Sequence, residues 1–491
     1  MRRARDPETK PAEATPERPQ IPDILAARYA SVPMLRLWSP VGRILLERDL
    51  WIAVMKAQRA LGVDIPESAI RDYERVKERV DLASIERRER ASRHDVKARI
   101  DEFCALAGHE HIHKGMTSRD LTDNAEQLQV RRSLELLRDK LAAGLIRLAQ
   151  VANEQRDTFM VARTHHVPAQ PTTLGKRLSM SGEELLHALE RLESTLANYP
   201  LRGLKGAVGT QLDQLSLLGQ DAAKAEQLEH ALARELGFSR VMSNVGQVYP
   251  RALDFEVLSV LFQVSAGLSD FAKLIRLMTG HDLVSEGFQE GQVGSSAMPH
   301  KMNARNSERI NGFHAVLAGY QEMVARLAGD QWNEGDVSCS VVRRVALPGA
   351  MFSLDGALET FITVLDEMTV FETAISAEVR RLLPFLATTT LLMEGVKRGG
   401  GREKLHEVIR KHSIAVARGL KDGSLSENDL PRRLGEDPDF PMPETDIRAV
   451  LSDTAPFVGA APAQVDRFVS AVNALRDRFP TAASYRPEPL I

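Results

Sequence analysis

Between Gly287 and Arg309 the chain concentrates side chains of unlike chemistry: the hydroxyls of Ser295 and Ser296, the amine of Lys301, the amide of Asn303, the carboxylate of Glu308 and the guanidinium of Arg309. Gly287, Gly291 and Gly294 punctuate its first half. A linker repeats a few residue types, whereas a long loop of varied polar residues between regular elements is the composition of an active-site lid. Such a set offers groups for acid–base chemistry and cations for holding an anionic ligand.

Further polar clusters interrupt the helical patterns elsewhere. They are Arg93-His94-Asp95, His113 with Thr117-Ser118, Arg163-Thr164-His165-His166 followed by Pro168 and Pro171, Gln247, and Ser340 with Arg343-Arg344. Polar groups at helix ends meet a ligand without being buried unpaired in a core. Plainer readings stand beside these. One of Thr172 and Thr173 is expected to cap the following helix, Asp95 to pair with a neighbouring arginine, and Arg343-Arg344 to be a solvated charge pair. His109, His111 and His113 alternate and would share one face of a strand, where a metal could be held. No carboxylate or cysteine stands at ligand spacing, so ordinary polar sites are the preferred reading.

The elements that must position these residues are helical. Leu134, Leu137, Leu141, Leu145, Leu148 and Ala152 step by threes and fours, as do Leu178 to Leu196, Leu258 to Ile275, and Phe313 to Leu327. A fifth pattern follows Pro348 with Phe352, Ala357, Phe361 and Leu365. Each gives one apolar stripe to bury. With no convincing period-two segment, the expected fold is all-α: a long central helical bundle with smaller N- and C-terminal helical domains. The expected divisions are a disordered tail at 1–20, an N-terminal helical domain at 21–117, the bundle at 118–370 and a C-terminal helical domain at 371–491. Aromatic residues are only 5% of the 491, so the core must be aliphatic. A net charge of -3 lacks the basic field of a nucleic-acid binder, so any anionic ligand must be held by local cations. Cys104 and Cys339 stand far apart, which suits a reducing, cytoplasmic setting. No apolar run suggests a membrane span.

The run Gly294-Ser295-Ser296-Ala297-Met298-Pro299-His300-Lys301-Met302-Asn303 is similar to the signature of the fumarase/aspartase superfamily. Within it the chain resembles the adenylosuccinate lyases, on Arg93-His94-Asp95-Val96, Thr117-Ser118, Arg163-Thr164-His165, Pro168 to Thr173, Leu201 to Thr210 and Ser307-Glu308-Arg309. The resemblance covers nearly everything from Ile21 onward. It implies β-elimination of fumarate from adenylosuccinate, giving AMP, and from SAICAR, giving AICAR, in purine biosynthesis. By the same resemblance Ser295 is the base and His165 the general acid, with Glu308 orienting His165, His94 a second pocket histidine, and Lys301 and Asn303 on the substrate carboxylates. Arg28, Tyr29, Arg93, Asp95, His113, Thr117, Ser118, Thr164, Gln247, Arg309, Ser340 and Arg344 match ligand contacts. It implies a homotetramer with sites shared between subunits, small-molecule substrates, no nucleic-acid or membrane partner, and no metal or organic cofactor. Three positions depart from the pattern: Ala304 stands where proline is usual, Gly335 where many relatives carry arginine, and Val167 where some relatives carry glutamine. Rival readings are another fumarate-releasing lyase, of the argininosuccinate type, or a catalytically silent helical scaffold.

Overall fold

The computed structural model describes residues 23–287, 298 and 300–488. Six helices form the N-terminal layer: α1 Ile24–Tyr29, α2 Val32–Trp38, α3 Pro40–Ala60, α4 Glu67–Val76, α5 Leu82–Ser92 and α6 Asp95–Ala107. Their starts follow from local chemistry. Asp23 accepts from Ala26 N–H at 2.9 Å, Ser39 from Gly42 N–H at 3.0 Å ahead of Pro40, and Asp81 from Ser84 N–H at 2.9 Å, each satisfying a helix-start donor that has no partner of its own.

The bundle is built on α7 Ser118–Glu154, α8 Leu174–Asn198, α11 Ala252–Thr279, α12 Arg305–Ala325 and α13 Cys339–Glu367, with the shorter α9 Leu212–Leu217 and α10 Ala222–Glu235 between. The expected leucine stripes of α7, α8 and α11 are fully buried and meet in one core. At 37 residues, α7 is about 55 Å long. By length and composition α11 and α13 would each pass as a membrane span, contrary to the sequence reading; in their most apolar windows 56% and 89% is buried within this fold, as in core helices.

Two features depart from the sequence expectation. Phe159–Thr164 (β1) and Val167–Thr173 (β2) form an antiparallel hairpin, with Val161 opposite Pro171 and Arg163 opposite Pro168. Prolines are admitted because a two-stranded ribbon leaves outward-facing positions that need no donor. Short β3 Val284–Ser285 and β4 Thr369–Val370 pair as well. Second, α13 begins at Cys339 and carries Pro348 inside it, rather than starting after it.

Residues 371–488 pack in two ways. Helices α15 Thr388–Lys397, α16 Arg402–Asp422, α17 Leu430–Glu436 and α18 Glu444–Ser452 surround their own core of Leu391, Leu405, Val416, Leu430, Leu434 and Ile447. By contrast, α14 Glu372–Leu386 and α19 Ala461–Arg478 contribute Ile375, Val379, Val465, Phe468 and Val472 to the main core.

Candidate active site

The first group of candidate residues gathers where α7 begins. Thr117 precedes the helix, and its N–H donates to the Asp120 carboxylate at 2.8 Å, which fixes Ser118 in the first turn. His113 has a left-handed φ of 64°, and Trp51 Nε1–H donates to its Nδ1 at 3.1 Å. That nitrogen therefore carries no proton, and Nε2–H is left as a donor. Burial first, then the charge of His94, pushes the His113 pKa down to about 4 against the pull of Asp120. His94 caps α6, with Lys97 N–H donating to its Nδ1 at 3.2 Å, so it too offers Nε2–H. Arg93, exposed, sits at the end of α5 with φ 55°.

Asp95 does pair with an arginine: Arg99 donates to it at 3.2 Å and Val96 N–H at 2.8 Å. Burial opposes ionisation there, but Arg99 and these donors outweigh it and hold the carboxyl below its ordinary range. At the same end Gln247 N–H donates to Glu334 O at 2.7 Å, and Ser340 Oγ accepts from Arg119 at 3.1 Å. Arg344 is exposed, but Arg343 is not a solvated charge. It is buried, donating to Asp254 at 2.7 Å and Glu126 at 2.6 Å, because paired carboxylates replace the lost water.

The second group lies where α11 ends. Thr164 and Val167 pair across a two-residue turn made of His165 and His166, both with positive φ, 53° and 62°. The His166 ring lies 5.4 Å from that of His281, just past α11. Beside it a cavity of about 830 Å³ is lined by Lys301, Asn303 and Glu308 together with Lys273, Arg276 and Asp282. Glu286, which the sequence reading passed over, stands just before Gly287 and reaches the start of α12. Its carboxylate accepts from Asn306 N–H at 2.7 Å, and from Ser307 N–H at 2.9 Å and Oγ at 3.0 Å. It thus caps α12 from outside, doing there what Ala304 cannot.

Arg28, Tyr29 and Arg309 form a third group. Tyr29 packs edge-on to Phe313 at 5.0 Å, with the Arg309 and Arg28 guanidinium carbons 5.6 and 6.0 Å from its ring centre. Gly356 makes room, since a Cβ there would come within 2.9 Å of Tyr29 Cβ.

One chain keeps the first two groups apart. Arg251, donating to Asp123 at 3.1 Å near the start of α7, and His281, beside His166, flank the 28 residues of α11, a span of about 42 Å.

A family model described as lyase matches residues 42–319, and a second, adenylosuccinate lyase C-terminus, matches 384–468. The chain is 34% identical to an adenylosuccinate lyase of Schistosoma mansoni and 36% identical to one of Schizosaccharomyces pombe, each alignment covering 91% of this chain and 93% of the relative. Among solved structures, it resembles 3-carboxy-cis,cis-muconate lactonizing enzyme from Pseudomonas putida (TM-score 0.77, 22% identity, 93% of this chain and 99% of that one). Fumarate lyase from Mesorhizobium sp. BNC1 is similar (TM-score 0.76, 21% identity, 92% and 100%). These two speak to the fold. The chain belongs to the adenylosuccinate lyase family.

For a member of the adenylosuccinate lyase family the split matters. Ser295 lies outside the described residues. Of the remaining acid–base candidates, His165, Lys301 and Glu308 stand at one end of α11 and His94 with His113 at the other. No hydrogen bond or ion pair joins His165 to Glu308 within the chain among the described residues. The metal alternative loses its geometry, since His109 and His111 lie in irregular backbone and His113 in a turn, not on a strand. His109 contacts Asp72 at 2.9 Å and His111 contacts Lys114 at 3.0 Å. Among the described residues no group of three metal-ligating side chains is found.

Proposed function

We propose that the protein is an adenylosuccinate lyase that releases fumarate by β-elimination from adenylosuccinate, leaving AMP, and from SAICAR, leaving AICAR. It works in the cytoplasm as a homotetramer whose active sites combine residues of different chains. The observation that carries the reading is the near end-to-end similarity to curated adenylosuccinate lyases, 91% of this chain, together with the unbroken Gly294 to Asn303 run.

In this reading Ser295 removes the proton beside a carboxylate and His165 protonates the departing nitrogen. A serine hydroxyl is a weak base at neutral pH. It needs cations and a site closed to water to stabilise its alkoxide, and Lys301 is the nearest cation in sequence. Acid and base placement of this kind contributes about 10²- to 10⁴-fold each. Lys301 and Asn303 hold the carboxylate on which the carbanion's charge is spread. Two arginines about the Tyr29 ring, and Nε2–H donors from His94 and His113, supply the polar contacts a nucleotide needs. The length of α11 between the two groups, about 42 Å, supports sharing of sites, because two chains laid antiparallel would bring opposite ends together.

The test is direct. Purified protein is given adenylosuccinate, SAICAR or argininosuccinate, and fumarate is followed by its ultraviolet absorbance. Release from the first two and not the third is expected. Release from argininosuccinate alone would transfer the chain to the rival lyase, and no release from any would leave the silent scaffold.

A further inference from the structure

The hairpin that carries His165 is held at its base and open at its tip. Thr164, His165, His166 and Val167 are exposed, and the two histidines of the turn keep positive φ. Just before that tip the ladder is interrupted. The pairing of β1 with β2 shifts between Val161 and Arg163, an irregularity of the kind that re-aims the side chain beside it. Val161 stands opposite Pro171, which has no N–H, and its carbonyl accepts from Arg177 of α8 at 2.7 Å. Arg163 reaches α14, where its Nη2 donates to Glu378 Oε1 at 2.5 Å and its Nη1 to Oε2 at 3.4 Å. Both side chains are nearly buried, 12% and 9% exposed, and Glu378 is flanked on α14 by Ile375 and Val379 of the main core. A carboxylate set into an apolar helix face is costly unless it is paired. Among the described residues, this two-pronged pair is the last hydrogen-bonded tie between the hairpin and the rest of the chain before the exposed tip.

We propose that Glu378 is a positioning residue for the general acid: through Arg163 it fixes the end of β1, so that the His165 imidazole is presented to the departing nitrogen in one place. This rests on the function proposed above. The turn is exposed and its backbone strained, so it does not by itself select one position for His165. A bidentate arginine–carboxylate pair two residues earlier restricts both distance and plane, and it does so from α14, whose inward face belongs to the main core. Proton transfer is sensitive to such placement, a displacement of about 1 Å costing up to about 10²-fold. Glu378 acts through the hairpin and carries no proton in the reaction.

The experiment is a double-mutant cycle on the single-turnover rate of fumarate release from adenylosuccinate, with Glu378→Gln, His165→Gln and the two combined, beside calorimetric binding of AMP. Glu378→Gln, which keeps the shape and removes the charge, is expected to lower the rate by about 10- to 100-fold, with AMP bound at unchanged stoichiometry and affinity. In His165→Gln, where no acid remains to be positioned, adding Glu378→Gln should lower the rate by less than about threefold. Arg163→Lys, which keeps the charge but not the fork, should follow the same pattern with a smaller loss. Should Glu378→Gln fail to assemble, Glu378→Asp, which keeps the charge with a shorter reach, carries the same cycle. An unchanged rate in Glu378→Gln, or equal fold losses in the two backgrounds, overturns the positioning role while leaving the lyase reading in place. A wild-type rate in His165→Gln removes the acid and the positioning role with it. If wild type releases no fumarate from adenylosuccinate, the functional reading fails and this assignment falls too.

Discussion

His113 shows how a neighbour decides what a residue can do. Trp51 donates to its Nδ1 and burial pushes its pKa to about 4, so near neutrality it is an uncharged donor through Nε2, not an acid. The linkage has a definite sign. Between pH 6.5, the ordinary histidine value, and 4, the unfolded chain takes up a proton that the folded chain refuses, so stability is full above about 6.5 and falls as pH drops toward 4. Between pH 7 and 5.5 this one site costs about 1 kcal/mol. In His113→Gln, whose amide oxygen can still accept from Trp51, the loss of stability over that interval should be smaller by about that amount, read from denaturant midpoints at the two pH values. Equal losses in wild type and variant would mean the imidazole is not held neutral. Sequence marked His113 as a polar residue near the start of α7. Its neutral state was not legible there, because the deciding donor is 62 residues away. Glu286 and Glu378 were missed for a like reason: a lone glutamate before Gly287 and another within α14 look like ordinary surface charges until the start of α12 and Arg163 are brought to them.

At the scale of elements, what could be read was whatever repeats. The stripes of α7, α8 and α11 step with the helix period and their faces are buried, while that of α12 buries Phe313, Leu317 and Val324 and leaves Tyr320 half-buried. The β1–β2 hairpin does not repeat long enough, and Pro168 and Pro171 argue against a strand. Its turn also carries none of the Asn or Gly that two positive φ values ordinarily call for. His165 and His166 therefore sit in a conformation costing non-glycine residues about 1–2 kcal/mol each, a cost retained at sites where position matters more than stability. If His165 is the acid, only the second of the pair is replaceable. His166→Gly should raise stability by up to about 1 kcal/mol, net of the lost contact with His281, and keep most of the activity, whereas His165→Gly should lose it. A drop in unfolding midpoint for His166→Gly would show that the turn is not strained. Pro348 misled for a related reason: lacking an N–H, it reads as a helix start, yet α13 runs through it with only the Arg344 carbonyl losing its partner.

For the whole molecule, the length of α11 governs what one chain can do alone. Its 28 residues, about 42 Å, run between the end that carries His165, Lys301 and Glu308 and the end that carries His94, His113 and Ser340, and a substrate is far shorter than such a helix. Either one set is idle, or the opposite end of another chain completes each site. Whether the proposed base and acid themselves come from different chains is read from a mixing experiment. Ser295→Ala and His165→Ala should each reduce turnover by at least about 10²- to 10⁴-fold, with helicity and oligomer size unchanged. If Ser295 and His165 of one site come from different chains, then after dissociation and random reassembly of an equal mixture about one site in four draws both intact residues, and activity should return to at most about a quarter of wild type. If both come from the same chain, no combination of the two variants contains a complete pair, and the mixture stays inactive even when labelled subunits prove that exchange took place.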